Sequence, residues 1–461
     1  MDNTSFASTA GMTDDNPYVL TSGSIQEPPT SLKSCLKYLG PGFILSASIV
    51  GSGELIATTS LGAKAGFVAF WVIIVSCLVK VAIQVEFGKY SIYSGETTMK
   101  AFNRLPGPKL GKAHWTIWAW LVLMCIKFLQ VGGIVGGAAL VLNIVMPDVP
   151  VVVWCFISAF SVSLLIYKGY YTFLENFSVI LIAIFTVLTL ASVVLVQYTP
   201  YTISAQEFLS GLEFRLPKET VLVAFGAFGI TGIGGDEIMS YNYWLIEKGY
   251  ASFTGPREDT EAWRNRAKGW IRVMYIDAGV SMVIYTLSTA AFYLLGAAIL
   301  HRQSLLPEGM ELIHTLTGLY TETLGPWANV VFLVAAFIVL YSTLFAALAI
   351  WTRLFPDAFS QIGWIDFTNT KQRKKTIAIL SWIIPMVWAV LFMLLKAPTL
   401  MVIIGGLTTS VILIIVVYAS LNFRYKFLPD FLKPSLLYDF LFWLSVLSIL
   451  TVGAYGIYKI T

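Results

Sequence analysis

Apolar runs long enough to be membrane helices recur along the chain, separated by short polar segments that gather most of its lysines and arginines. A helix rising 1.5 Å per residue needs about 20 apolar residues to cross a hydrocarbon core of about 30 Å. Runs at 40–62, 67–88, 117–146, 150–170, 176–198, 219–246, 270–300, 325–352, 376–396, 398–421 and 440–458 meet that length. The pattern predicts an all-α integral membrane protein of eleven transmembrane helices. Two runs are interrupted: Gly51-Ser52-Gly53-Glu54 breaks the first, and Gly232-Ile233-Gly234-Gly235-Asp236-Glu237 breaks the sixth. Backbone at membrane depth must be hydrogen-bonded inside the protein, so glycine-loosened breaks persist only where they line a cavity. Carboxylates at that depth are functional candidates for the same reason. The broken runs open two halves of five runs each, about 38–198 and 219–421. An odd number of spans inverts the second half relative to the first, as in transporters whose broken helices meet at a central site. The last run, about 440–458, is then a peripheral addition.

Composition agrees with this reading. Only 12% of residues are charged, 57% are hydrophobic, and the mean hydropathy is +0.75. Soluble domains carry about 25% charged residues, so the partner of this surface is a lipid bilayer. Residues 1–32 are rich in Ser, Thr, Asn, Asp and Pro with no apolar period, which predicts a disordered cytoplasmic tail ahead of a single transporter domain at 33–461. Of the 30 Lys and Arg residues, only Lys64, Arg215, Lys218, Arg302, Lys396 and Lys459 fall on one side, and Lys80 and Lys127 fall inside runs. The positive-inside rule puts the N-terminus in the cytoplasm and the C-terminus outside, in a plasma (inner) membrane. That rule accounts for the basic loops, and no nucleic-acid partner is called for. The loop 247–269, with Trp263 and Trp270, reads as a cytoplasmic amphipathic link. Cys35, Cys77, Cys125 and Cys155 have no metal spacing and read as buried free thiols. The chain has no phosphate loop with its lysine, no catalytic triad and no HExxH motif. This points away from an enzyme or an ATP-driven pump. It leaves a secondary transporter working by alternating access, with no cofactor, acting as a monomer.

The breaks carry the candidate chemistry. Ser52, Glu54, Asp236, Glu237 and unwound carbonyls offer oxygen ligands, which suit a hard cation such as Mg²⁺, with Glu54 and Asp236 as its metal ligands. The alternative uses the glycines. N–H groups exposed at a half-helix N-terminus bind anions, so Gly51, Gly53, Gly232, Gly234 and Gly235 would hold bicarbonate or a short carboxylate. Na⁺ or H⁺ on Glu54 or Asp236 would then be the coupling ion. Asp236 and Glu237 also fit the first turn of the helix after the break, where the macrodipole favours negative charge. Lys127, Gln130, Asn143, Tyr241, Asn242, Tyr341, Ser342 and Thr343 are candidate pathway or coupling groups. Lys80 and Glu86, six residues apart, read as snorkelling side chains.

Several fragments together resemble the Nramp family of proton-coupled divalent-metal transporters, within the broader LeuT-type fold. Gly40-Pro41-Gly42-Phe43 resembles the GPGF ahead of that family's first broken helix, and 61–67 resembles its AGAQFGY. Residues 136–143 are similar to its IGAAIALN, Leu174-Glu175 after Gly169 to its fifth-span opening, and Asp277 to an early seventh-span Asp. The resemblance covers most of 38–425 and implies a 5+5 inverted repeat with broken helices 1 and 6. The departures fall on the chemistry. The family's metal-binding DPGN aligns with Gly51, Ser52, Gly53 and Glu54, and its MPH with Gly234, Gly235 and Asp236. Its acidic pair in span three aligns with Val131 and Ile134. Loss of the soft methionine sulfur argues against selective transition-metal transport. The triplet Gly51-Ser52-Gly53 is also similar to the GSG of amino-acid permeases sharing the fold, where backbone N–H groups receive a substrate carboxylate.

Overall fold

Pro41 opens the first helix, α1 (Pro41–Ile49), at a position where its missing N–H costs nothing. The carboxylate of Asp277 accepts from the N–H groups of Gly40, at 3.0 Å, and Gly42, at 2.6 Å, and so caps that end. α1 stops at Val50, whose ψ of 61° leaves the helical range. The chain resumes as a π-helical turn, Gly53–Thr58, which passes into α2 (Thr59–Ala65). Gly66, at φ +62°, turns the chain into α3 (Phe70–Ser94). The computed structural model describes residues 16–168, 171–433 and 436–460.

The remaining long helices are α4 (Trp115–Val145), α5 (Val151–Lys168), α6 (Tyr171–Leu195), α7 (Val221–Ile230) and α8 (Gly235–Lys248). They continue as α9 (Glu261–Leu295), α10 (Leu312–Leu324), α11 (Ala328–Ile362), α12 (Thr370–Leu395), α13 (Pro398–Asn422) and α14 (Leu436–Ile460). Among the described residues, eight helical stretches are long and apolar enough to cross a membrane, and Val151–Tyr167 and Ala183–Tyr198 are shorter apolar helices. The protein is a helical, multi-pass membrane protein. The first two runs join: Gly53–Ser94 is one helical stretch, bent at Gly66 because only a glycine takes that φ without strain.

α13 packs along α4 and α7, and α9 along α3 and α1. Glycines let the backbones approach closely. A methyl on Gly226 of α7 would meet the Ile403 carbonyl at 3.0 Å, and one on Gly229 would meet Ser410 Oγ at 2.7 Å. Helices in lipid gain from such close packing because lipid gives them no hydrophobic drive to associate. α14 lies outermost, against α3 and α13.

Three expectations are corrected here. Residues 16–30 of the predicted tail have defined partners. Asn16 donates to the Thr368 carbonyl at 3.1 Å, Tyr18 bonds Glu247, and Trp270 Nε1 donates to the Gln26 carbonyl at 3.0 Å. The tyrosine ring and these backbone bonds pin the segment despite its polar composition. Residues 1–15 lie outside the described residues, as do Gly169 and the side chains of Phe43, Leu174 and Glu175. Second, the 247–269 link is largely helical. Its second half is the start of α9, capped by Thr260 Oγ1 on the Trp263 N–H, and both tryptophans are buried. Third, Cys125 is exposed, whereas Cys35, Cys77 and Cys155 are buried.

Candidate transport site at the paired helix breaks

Glu54 joins the two breaks. It projects from the first residues of the π-helical turn, and Oε1 accepts from the Gly232 N–H at 3.3 Å, in the second break, and from Thr289 Oγ1 of α9 at 3.2 Å. Oε2 is buried and has no hydrogen-bond partner among the described residues. On the opposite side of the first break, the Ser52 N–H donates to Thr343 Oγ1 of α11 at 3.3 Å. A π-turn widens the helix and frees backbone groups, which is why such turns recur at functional positions.

The second break is built by Gly232, at φ +63°, and ends where Gly234 caps α8. Asp236 and Glu237 occupy the first turn of α8. Asp236 forms a buried ion pair with Lys127 of α4; the two side chains are 6% and 3% exposed. Glu237 is only partly buried and folds back, with its carboxylate beside Gly234 at the helix N-terminus. On the other side of the break, Lys80 is fully enclosed. Its ammonium bonds the Phe228 carbonyl and those of Thr231, at 2.9 Å, and Gly229, at 3.4 Å. Lys80 does not snorkel, and neither does Glu86, which is equally buried and accepts from Lys89 at 2.5 Å and Arg424 at 2.8 Å. Among the described residues, no group of three or more His, Cys, Asp or Glu side chains is placed to hold a metal ion.

The family model described as natural resistance-associated macrophage protein-like matches residues 42–459. The chain belongs to the Nramp family. An uncharacterized protein of Pasteurella multocida is 25% identical over 71% of this chain and 71% of its own length. The divalent metal cation transporter MntH of Staphylococcus saprophyticus is 25% identical over 57% of this chain; the match spans 55% of that relative. A manganese transporter of Eremococcus coleocola, solved with an aromatic bis-isothiourea compound, superimposes with a TM-score of 0.67 at 16% identity, over 94% of this chain and 89% of that one. That likeness is one of fold. As an Nramp-family protein the chain is a membrane transporter.

Within this Nramp-family chain the predicted site residues separate into two groups. Glu54, Gly232 and Thr343 meet around the two breaks, and Lys127 meets Asp236. Gln130 packs its side chain against Gly405 of α13, and its Oε1 is buried without a hydrogen-bond partner among the described residues. The remaining pathway candidates have hydrogen-bond partners away from the two breaks. Asn143 donates to the Val149 carbonyl at 2.8 Å, closing the turn after α4. Asn242 bonds the Glu96 carbonyl at 2.9 Å, Tyr341 bonds Ser161 of α5 at 2.7 Å, and Ser342 bonds back to Val339. Tyr241 donates to Asp277 at 3.1 Å, which adds α8 to the cap on α1. Thr289 and Ser76 escaped the sequence reading. Neither has a break or a charge directly beside it in the sequence to mark it.

Proposed function

We propose that this Nramp-family protein is a symporter that moves a small anion, such as bicarbonate or a short carboxylate, together with H⁺ or Na⁺ held at Glu54. The cycle is alternating access between the two inverted five-helix repeats of an eleven-helix chain, with the N-terminus inside. The observation that carries this reading is the Lys127–Asp236 pair. A hard-cation site needs Glu54 and Asp236 both available, and Asp236 already has a buried counter-ion. Lys80 covers the carbonyls of the same break, so a divalent cation would approach two ammonium groups. Three carboxylates (Glu54, Asp236, Glu237) against two ammonium groups leave one formal negative charge, which one H⁺ or Na⁺ neutralises. Gly53 is the only partly accessible residue of the stretch 49–58, and this favours it as the N–H that meets the anion.

The test is uptake into liposomes containing the purified protein, with labelled bicarbonate and with a proton or Na⁺ gradient present or absent. A methyl on Gly53 would meet the Ile230 carbonyl at 3.5 Å, an ordinary contact, so Gly53→Ala should fold and lose anion uptake. Glu54→Gln should retain a folded protein and lose the gradient dependence. A second reading, transport of a hard divalent cation such as Mg²⁺, is favoured by the unpartnered Oε2 of Glu54 and by the names of the MntH relatives. Electrogenic Mg²⁺ uptake that survives Gly53→Ala and is lost in Glu54→Gln would replace the anion reading.

A further inference from the structure

We propose that the C-terminal end of α7 is a seat for a monovalent cation, and that the chain fills this seat permanently with its own Lys80 ammonium. A helix leaves its last carbonyls without intrahelical partners, and its macrodipole makes that end attractive to cations. In transporters with broken helices, such ends at membrane depth coordinate a mobile coupling ion. Here α7 stops at Ile230, and the carbonyls of Phe228, Gly229 and Thr231 converge on Lys80 Nζ. Ser76, one turn earlier on α3, adds its hydroxyl against the Phe228 carbonyl at 2.9 Å and the Thr231 carbonyl at 3.0 Å. Thr231 Oγ1 completes the group by donating to Ser76 Oγ at 3.0 Å. The Phe228 ring lies 4.8 Å from Nζ, a distance at which its face attracts a cation. Lys80 and Ser76 are both fully enclosed.

The arrangement is chemically that of an ion site. Three carbonyl oxygens stand around the ammonium where hydration oxygens would be, as in carbonyl-lined filters. What distinguishes it is that the cation is covalently tied to α3 and cannot leave. The tether fastens α3 to the broken helix with a charge that needs no ion from solution. This holds whichever solute the protein carries.

The experiment is equilibrium binding of radiolabelled Rb⁺ to the purified full-length protein, with thermal denaturation in methylammonium chloride as a second readout. Lys80→Ala should gain one saturable Rb⁺ site per chain relative to wild type. Methylammonium should compete for that site and raise the melting temperature of the variant but not of the wild type. Rb⁺ binding identical to wild type, with no response to methylammonium, would overturn the proposal. Lys80→Ser is the second variant, since it places a hydroxyl and room for water beside Ser76. If both variants fail to fold in Rb⁺ and methylammonium buffers alike, the proposal is also overturned, because a vacated cation seat would be refilled and the fold rescued.

Discussion

Removing one member of the Lys127–Asp236 pair should cost far more than removing both. The side chains are 3% and 6% exposed, so neither charge can turn to solvent when its partner is lost. Breaking a buried pair from one side costs about 3–5 kcal/mol, against about 0.2–1 kcal/mol for exposed pairs. The two single variants should differ. Lys127→Met leaves the Asp236 carboxylate in the first turn of α8, where the helix dipole returns up to about 2 kcal/mol, so its cost should fall to about 1–3 kcal/mol. Asp236→Asn leaves an ammonium on the middle of α4 with no such help, and the full cost of about 3–5 kcal/mol applies. The double variant replaces both charges with neutral groups and should lie within about 1 kcal/mol of wild type. Each 1.4 kcal/mol is about tenfold in the folded-to-unfolded ratio. A denaturant titration in lipid–detergent micelles, followed by tryptophan fluorescence, resolves differences of that size. If the costs of the two single variants simply add in the double variant, the pair is not coupled and the reasoning fails. Lys127→Met also frees a carboxylate, so Mg²⁺ should stabilise that variant while leaving the wild type unchanged.

Three further outcomes follow from the packing. A methyl on Gly42 would meet the Asp277 carbonyl oxygen at 2.7 Å and its Oδ2 at 2.8 Å, so Gly42→Ala should loosen the cap on α1 and cost about 1–3 kcal/mol in the same titration; an unchanged midpoint would refute the cap. Glu86 holds Lys89 and Arg424, and Arg424 also bonds Asp439 of α14, so Glu86→Gln should cost about 3 kcal/mol and speed proteolysis of the segment joining α13 to α14; unaltered cleavage would mean that α14 is held by apolar packing alone. Thr289→Val removes a donor from Glu54 Oε1 and should weaken coupling-ion dependence of uptake while lowering stability by only about 1 kcal/mol; an unchanged ion dependence would place Thr289 outside the site.

Much of the architecture was legible from hydrophobic periodicity, because a helix in lipid must satisfy its own backbone and shows its length directly. Both breaks were legible as well, since glycines clustered beside carboxylates mark loosened backbone at membrane depth, whereas glycines alone also serve close packing. α1 ends at Ile49 and α7 at Ile230, each close to the predicted interruption. Boundaries near water were less legible. α9 starts at Glu261, well before its apolar run, because charged residues such as Arg264 and Lys268 continue a helix without marking it. The polar segment 16–30 read as a free tail because composition does not reveal a partner such as Trp270 or Glu247.

By itself, the sequence determined that the chain crosses a membrane repeatedly, where two of its helices are broken, and which ionisable groups lie at depth. These are properties of each segment in its solvent. Which of those groups remain free was decided only by the tertiary structure. Asp236 and Lys127 are 109 residues apart, Lys80 and Phe228 are 148 apart, and Glu54 and Gly232 are 178 apart. No local pattern encodes those meetings. A charge in a low-dielectric interior is governed by its nearest counter-charge or carbonyl, and which one lies nearest is a property of the packed helices.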